Sequence, residues 1–450
     1  MNLQMQQIGV TSVRDIILIL YFFLVVIVGF ISFGQIKDDR DFFVAGKNAG
    51  ILQVSGSLLA SILGSSAILG SVDFAYSVGW AGSWLMLCGA FGLLMLYPLT
   101  KYIKNFQGYN LPNLLGNFYG EEVQRISSFI IPIAWLGIVA SQIMGAAKII
   151  TIISSYTYIE GVWLSSFVFI VYTILGGQFS IIKTDMIQLL FILLGLVVTF
   201  VYISSEPITK DVLPMINEKF SYMDLLVMIL TYSTTYLVGP DIYSRLFCAK
   251  SEKTMKSSIL IAIIVLIPLG FILAKLGIYG AEVFDNIGSN SVLLLIADSK
   301  LPKILSFLLY LGLLSAVISS ADTTLLTASS LFTQGIIKDL KSEKAVFISR
   351  VLTVVFGVGA MFIAIKMKYI LSTLLLALTI YSGAFIIPTF VGMFGYRVRK
   401  EVVILAIIVG GGVATYGKLY GGASGKLIAI AAFILNGAIL YIGKKMEKSK

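Results

Sequence analysis

Apolar runs of about 20 residues follow one another along almost the entire chain, each long enough to cross the hydrocarbon core of a bilayer as a helix. Hydrocarbon cannot hydrogen-bond a backbone N–H or C=O, and a helix satisfies both within the segment. Only 12% of the residues are charged, against roughly 25% in an ordinary soluble domain. One water-soluble core cannot absorb so many apolar runs, so the expectation is an all-α membrane protein.

The runs place thirteen membrane spans at 12–34, 48–76, 80–106, 124–155, 159–176, 180–204, 221–246, 256–282, 302–337, 347–366, 369–396, 401–419 and 424–443. The first has no small-residue cleavage site and reads as a retained helix. With an odd count the termini lie on opposite sides. Taking the loop Gln35–Asn48, with Lys37, Arg40 and Lys47, as cytoplasmic puts the basic segments 245–256, 338–350, 397–400 and 444–450 on the same side. That distribution follows the positive-inside rule and predicts an N-terminus outside, a C-terminus inside, and residence in the inner (plasma) membrane. No linker or low-complexity stretch divides residues 1–450, which read as one transmembrane domain.

The net charge of +10 is spread over short loops, so it reports topology and not a nucleic-acid partner. Cys88 and Cys248 lie in or beside apolar runs without pairing or metal spacing and read as reduced structural thiols. The chain has no histidine, which excludes imidazole metal sites and histidine acid–base chemistry. Nor is there a nucleotide-binding loop or an acid pair in one pocket, so an enzyme is not expected. The sequence ends a few residues after its last span, so the output domain of a sensor is not expected either.

Three segments stand out. In the second span Gly56-Ser57 and Ser61-Ile-Leu-Gly-Ser-Ser66 set small and hydroxyl residues at mid-membrane depth. A helix can open there and free carbonyls that need a cavity, water or a cation; a close helix-packing face is the other reading. In the ninth span Ala316, Ser319 and Ser320 stand at i, i+3 and i+4, presenting oxygen to one side as a small hard cation requires. Serines bonded to their own helix remain the alternative. Thr184, Asp185 and Gln188 cluster near the start of the sixth span, where a carboxylate is either functional or stabilised by the helix N-terminus and Lys183.

Taken in order, these pieces resemble the sodium/solute symporter family of sodium/proline, sodium/galactose, pantothenate and sialic acid carriers. The marks are Asp41-Phe-Phe-Val-Ala-Gly-Lys47, Ser57-Leu-Leu-Ala-Ser61, Gly176-Gly177 with Thr184-Asp185 and Gln188, Gly239-Pro240-Asp-Ile-Tyr-Ser-Arg245 with Ala249-Lys250-Ser251, and Ser319-Ser320. The resemblance implies a five-plus-five inverted-repeat core whose first helices are broken. The repeats are spans 2–6 (about 48–204) and 7–11 (about 221–396), with one peripheral span before and two, at 401–443, after. It implies Na+ as coupling ion, held by the carbonyls of Ala60, Leu63 and Ala316 and the hydroxyls of Ser319 and Ser320. Asp185 matches the family's acidic position on the cytoplasmic release path, with a role in a second ion site or in ion exit.

The resemblance also implies a substrate pocket lined by Ser65, Ser66, Ala67, Ser141, Gln142, Thr231, Thr235, Tyr236, Tyr381 and Ser382. Ala67 replaces the long polar side chain of sugar carriers, and Ile62 stands near an aspartate of sodium/proline carriers, so neither substrate carries over. The solute stays open among amino acids, carboxylates and sugar-like compounds. Lys148 snorkels outward or meets an anionic solute, and Asp73 is a candidate partner for it. Asp322, three residues after Ser319, tunes the sodium field or bonds neighbouring hydroxyls. The function implied is sodium-driven uptake of a small organic solute. Proton coupling through Asp185 is the alternative, and a membrane sensor a weaker one.

Overall fold

The computed structural model describes residues 20–27, 30–31, 42–43, 45–104, 110–288, 290–337, 342–367 and 369–448. Among them only helices, turns and two isolated β-bridges occur, and eleven helices are long and apolar enough to cross a membrane. One of the eleven, Ser65–Tyr102, joins the second half of the second expected span to the third through the tight turn Gly79–Ser83. The first expected span falls largely outside the described residues.

The second span is two helices, α1 (Ile51–Ile62) and α2 (Ser65–Val78), and α3 (Trp84–Leu96) follows. After a short helix α4 (Leu111–Tyr119) comes α5 (Glu121–Ile153). The fifth and sixth spans are the two limbs of α6 (Tyr158–Ile203), bent at Gly177 where φ is 52° and ψ −162°. That region admits only glycine without strain. The seventh span comprises α7 (Tyr222–Met228), a π-helical turn at Ile229–Ser233, α8 (Thr234–Val238) and α9 (Pro240–Phe247). Beyond it lie α10 (Glu252–Val283), a short α11 (Val292–Ser299), α12 (Lys303–Ile336), α13 (Glu343–Lys366), α14 (Ile370–Met393), α15 (Lys400–Tyr420) and α16 (Gly422–Lys448).

Local chemistry sets these limits. Thr157 with Glu160, and Ser221 with Asp224, form reciprocal caps that satisfy the first free N–H groups of α6 and α7. Ser251 and Ser342 cap α10 and α13 in the simpler manner. α4 and α11 are nine and eight residues long, too short for an apolar-run criterion, and both lie between the expected spans.

Burial separates the core from the lipid face. In the most apolar stretches of α5 and α12, 72% of residues are buried, against 33% in the second limb of α6, in α13 and in α16. Leu190, Val201, Phe347, Val355 and Ile434 are accordingly exposed, as suits side chains whose solvent is acyl chain. The two broken spans meet at their ends: Ala49 N–H donates to the Cys248 carbonyl (2.9 Å) and Lys250 N–H to that of Ala49 (3.1 Å). Both cysteines are buried free thiols.

Candidate ion and solute site

The break between α1 and α2 is two residues long. Leu63 leaves the helix at φ −83°, ψ 43° and Gly64 is extended at φ −66°, ψ 167°. The last carbonyls of α1 therefore lack a following turn. Leu63 N–H still reaches the Leu59 carbonyl (2.8 Å), whereas the Ser61 carbonyl accepts from the Ser320 hydroxyl of α12 (2.9 Å). Gly64 is required by close approach: a Cβ there meets Ser320 Cβ and Gln142 Nε2, each at 2.8 Å. On the other side of the break Gln142 Oε1 accepts from Ser65 N–H (3.1 Å) and Ser65 Oγ (2.8 Å), while its amide donates to Ser66 Oγ (2.9 Å).

Ala60, Leu63, Ala316, Ser319 and Ser320 are all buried where α1 meets α12. Ser320 turns to the broken helix, with Ala60 O at 3.4 Å, and Ser319 turns to the carboxylate of Asp185 on α6 (2.6 Å). Ser57 donates to the other oxygen of that carboxylate. The oxygens gathered here are carbonyl, hydroxyl and carboxylate, the donor set of a hard cation, and among the described residues no histidine, cysteine or acidic cluster has transition-metal spacing.

The next member closes one of the motifs of the resemblance but was not expected at the site. Arg245, read as a cytoplasmic loop cation, is wholly buried at the end of α9 and ion-paired with Asp185 at 3.4 Å. Its guanidinium also donates to Ser61 Oγ (2.9 Å) and to Thr323 Oγ1. Thr323 in turn donates to the Ser319 carbonyl (2.7 Å), so the arginine braces α1, α6 and α12 together. Asp322 is buried in the same cluster. One of its oxygens accepts from Thr323 N–H (2.6 Å), and the other has no partner among the described residues. The cluster thus holds two carboxylates and one guanidinium.

α9 reaches this depth because the seventh span breaks as the second does. Gly239 is extended (φ −61°, ψ 119°), and Pro240 begins a new helix at the position where its missing N–H costs nothing. Between the two breaks lies a cavity of about 70 Å³. Of the residues expected around a solute, Ser66, Ala67, Gln142, Thr235, Tyr236 and Tyr381 line it. Ser65 instead faces Gln142. Ser141, Thr231 and Ser382 bond carbonyls of their own helices, at Ile138 (2.7 Å), Val227 (2.7 Å) and Thr379 (3.2 Å). Trp135, Tyr232 and Asp241 also line the cavity and were not anticipated.

Further out, Asp73 of α2 accepts from Ser291 Oγ (2.9 Å) and Val292 N–H (2.8 Å), so it caps α11, and Lys148 lies near enough for the opposite charges to attract.

The profile of the Sodium:solute symporter family matches residues 42–207 and 204–410, well over half of the chain. The chain belongs to the sodium:solute symporter family. It is thus a transporter that couples solute movement to Na+. Among curated proteins, this symporter is 22% identical over 416 residues to the high-affinity proline transporter PutP of Bacillus subtilis, covering 85% of this chain and 88% of that one. It is 21% identical over 359 residues to a high-affinity choline transporter of Torpedo marmorata, covering 73% of this chain and 62% of that longer protein. In fold it resembles the solved Na+-coupled sialic acid symporter (TM-score 0.76, 17% identity, 96% of each chain). It also resembles Mhp1, a nucleobase-cation-symport-1 family transporter (TM-score 0.62, 13% identity, 90% of this chain and 95% of that one). The all-helical fold with broken helices and the coupling to Na+ therefore stand as the sequence led us to expect, and proton coupling is not favoured.

Proposed function

We propose that this symporter takes up a small organic solute by binding one Na+ between α1 and α12, at the carbonyls of Ala60, Leu63 and Ala316 and the hydroxyls of Ser319 and Ser320. The observation that carries the reading is that the Ser320 hydroxyl already spans the gap to the broken end of α1. A cation there takes over that bridging and draws the two helices together. Because α2, the continuation of α1, presents Ser66 and Ala67 to the cavity, ordering the break also orders the solute site. Sodium then raises solute affinity, and by linkage solute raises sodium affinity by the same factor. Asp185 supports the ion through Ser319 and offers it a carboxylate on the way out.

The repeats 48–204 and 221–396 rock about this point to open it to each side in turn, with the N-terminus outside and the C-terminus in the cytoplasm. Two peripheral spans, 401–443, follow. The pairing of a break in the second span with one in the seventh supports that division.

Purified protein in proteoliposomes tests the reading: screened solutes should accumulate only under an inward sodium gradient, and S319A/S320A should abolish the sodium dependence. Sodium-dependent accumulation that survives in S319A/S320A overturns the ion site. A proton gradient that drives uptake without sodium overturns the coupling.

A further inference from the structure

From the central cavity we infer that the transported solute carries a positively charged nitrogen, held by the carboxylate of Asp241 within a cage of aromatic rings; this rests on the cavity being the solute site. Asp241 is the second residue of α9, directly after the break, and lies half-buried in the cavity wall. Its carboxylate rests on the first turn of its own helix beside the Ile242 N–H, and no side-chain donor bonds it among the described residues. Around it stand Trp135, Tyr232, Tyr236 and Tyr381.

The tyrosines are not its partners. Tyr236 donates to Tyr232 (2.9 Å), and Tyr381 donates to the Val238 carbonyl, across the break from Asp241. The Tyr236 and Tyr381 hydroxyl protons are thereby committed, Tyr232 serves as the acceptor of one, and all three rings line the cavity. An aromatic face attracts a cation through its quadrupole, most strongly where water is excluded. A carboxylate among such faces selects the same charge twice.

Charge accounting points the same way. Arg245, four residues on, turns its Nε and Nη2 to Ser61, Thr323 and Asp185 and forms no hydrogen bond to Asp241 among the described residues, and no lysine or arginine lines the cavity. Three carboxylates, Asp185, Asp322 and Asp241, thus surround one guanidinium deep in the membrane. A carboxylate at this depth is stable as an ion only with a cation beside it. Sodium supplies one at the Asp185 end, and a cationic nitrogen supplies one at Asp241. The Trp135 indole N–H, buried and without an acceptor, offers the solute one further hydrogen bond, for a hydroxyl or carboxylate oxygen.

The test compares probes that differ only in charge. Thermal stability of the purified protein is measured with choline, with the neutral alcohol in which carbon replaces its nitrogen, with proline, with lactate and with glucose, each with and without sodium. Stabilisation confined to choline or proline supports the inference, and equal or stronger stabilisation by the neutral alcohol, lactate or glucose overturns it. Asp241→Asn keeps the shape and removes the charge. It should weaken choline or proline binding at least about tenfold, with Asp241→Glu recovering part, while stabilisation by sodium alone is kept. Unchanged affinity in Asp241→Asn also overturns the assignment. If that variant does not fold, the wild-type comparison still decides. A charge preference without sodium dependence sinks the coupling scheme proposed above and leaves this inference standing.

Discussion

Removing the guanidinium of Arg245 should damage this protein more than removing the carboxylate it pairs with. At 3.4 Å and an effective dielectric constant of about 20, the pair with Asp185 attracts by about 5 kcal/mol. Deleting one partner of a buried pair costs about 3–5 kcal/mol, chiefly through the charge left unpaired. The two deletions are not equivalent. Arg245→Met leaves Asp185 and Asp322 facing each other in hydrocarbon and also frees Ser61 and Thr323, so it should lie at the upper end. Asp185→Asn leaves Arg245 with Asp322, with Ser61 and with Thr323, and should cost roughly half as much. The double variant should be more stable than Arg245→Met alone, with a coupling energy of about 2 kcal/mol or more. Unfolding of the four proteins in detergent, followed by tryptophan fluorescence across a denaturant series, gives the cycle. Effects that add within about 0.5 kcal/mol, or Asp185→Asn proving the more harmful, would refute the reasoning.

Gly64→Ala should drive a methyl group into Ser320 and Gln142, costing about 1–3 kcal/mol and removing sodium-dependent stabilisation, which a thermal melt at varied sodium measures. Gly177→Ala has to adopt φ 52° against the ring of Phe42, with Cδ2 at 2.6 Å; a loss of about 1–3 kcal/mol is expected, and an unchanged melting temperature contradicts the bend. Asp73→Ala removes the cap on α11, costing about 0.5–2 kcal/mol, which hydrogen exchange should register as faster labelling of Val292–Ser299 while α12 is unaffected.

What could be read from sequence follows from how long each signal is. A membrane span repeats one chemical property over about 20 residues, so the eleven long apolar helices among the described residues fall within a few residues of expected spans, one of them joining parts of two. The break at Leu63–Gly64 was legible because small and hydroxyl residues interrupt an apolar run, and the ion-facing side of α12 because Ala316, Ser319 and Ser320 keep helical spacing. Arg245 misled because it closes an apolar run and precedes Lys250, Lys253 and Lys256, the ordinary pattern of a loop. Only the break at Gly239, which starts α9 inside the bundle, reveals that Arg245 stays buried, and the same break aims Asp241 at the cavity. Trp135 was missed for another reason. On α5, among aliphatic neighbours, nothing in the local pattern separates a ring that packs from one that faces a cavity.

The proposed coupling turns on a cation held between the broken end of α1 and the hydroxyl face of α12. Equilibrium binding of radioactive sodium to the purified protein tests this directly, comparing wild type with S319A/S320A in the absence of any solute. We expect one saturable site per chain in the wild type and its loss in S319A/S320A, with the variant still folded by circular dichroism. Saturable binding of equal affinity in a folded S319A/S320A protein would contradict the account.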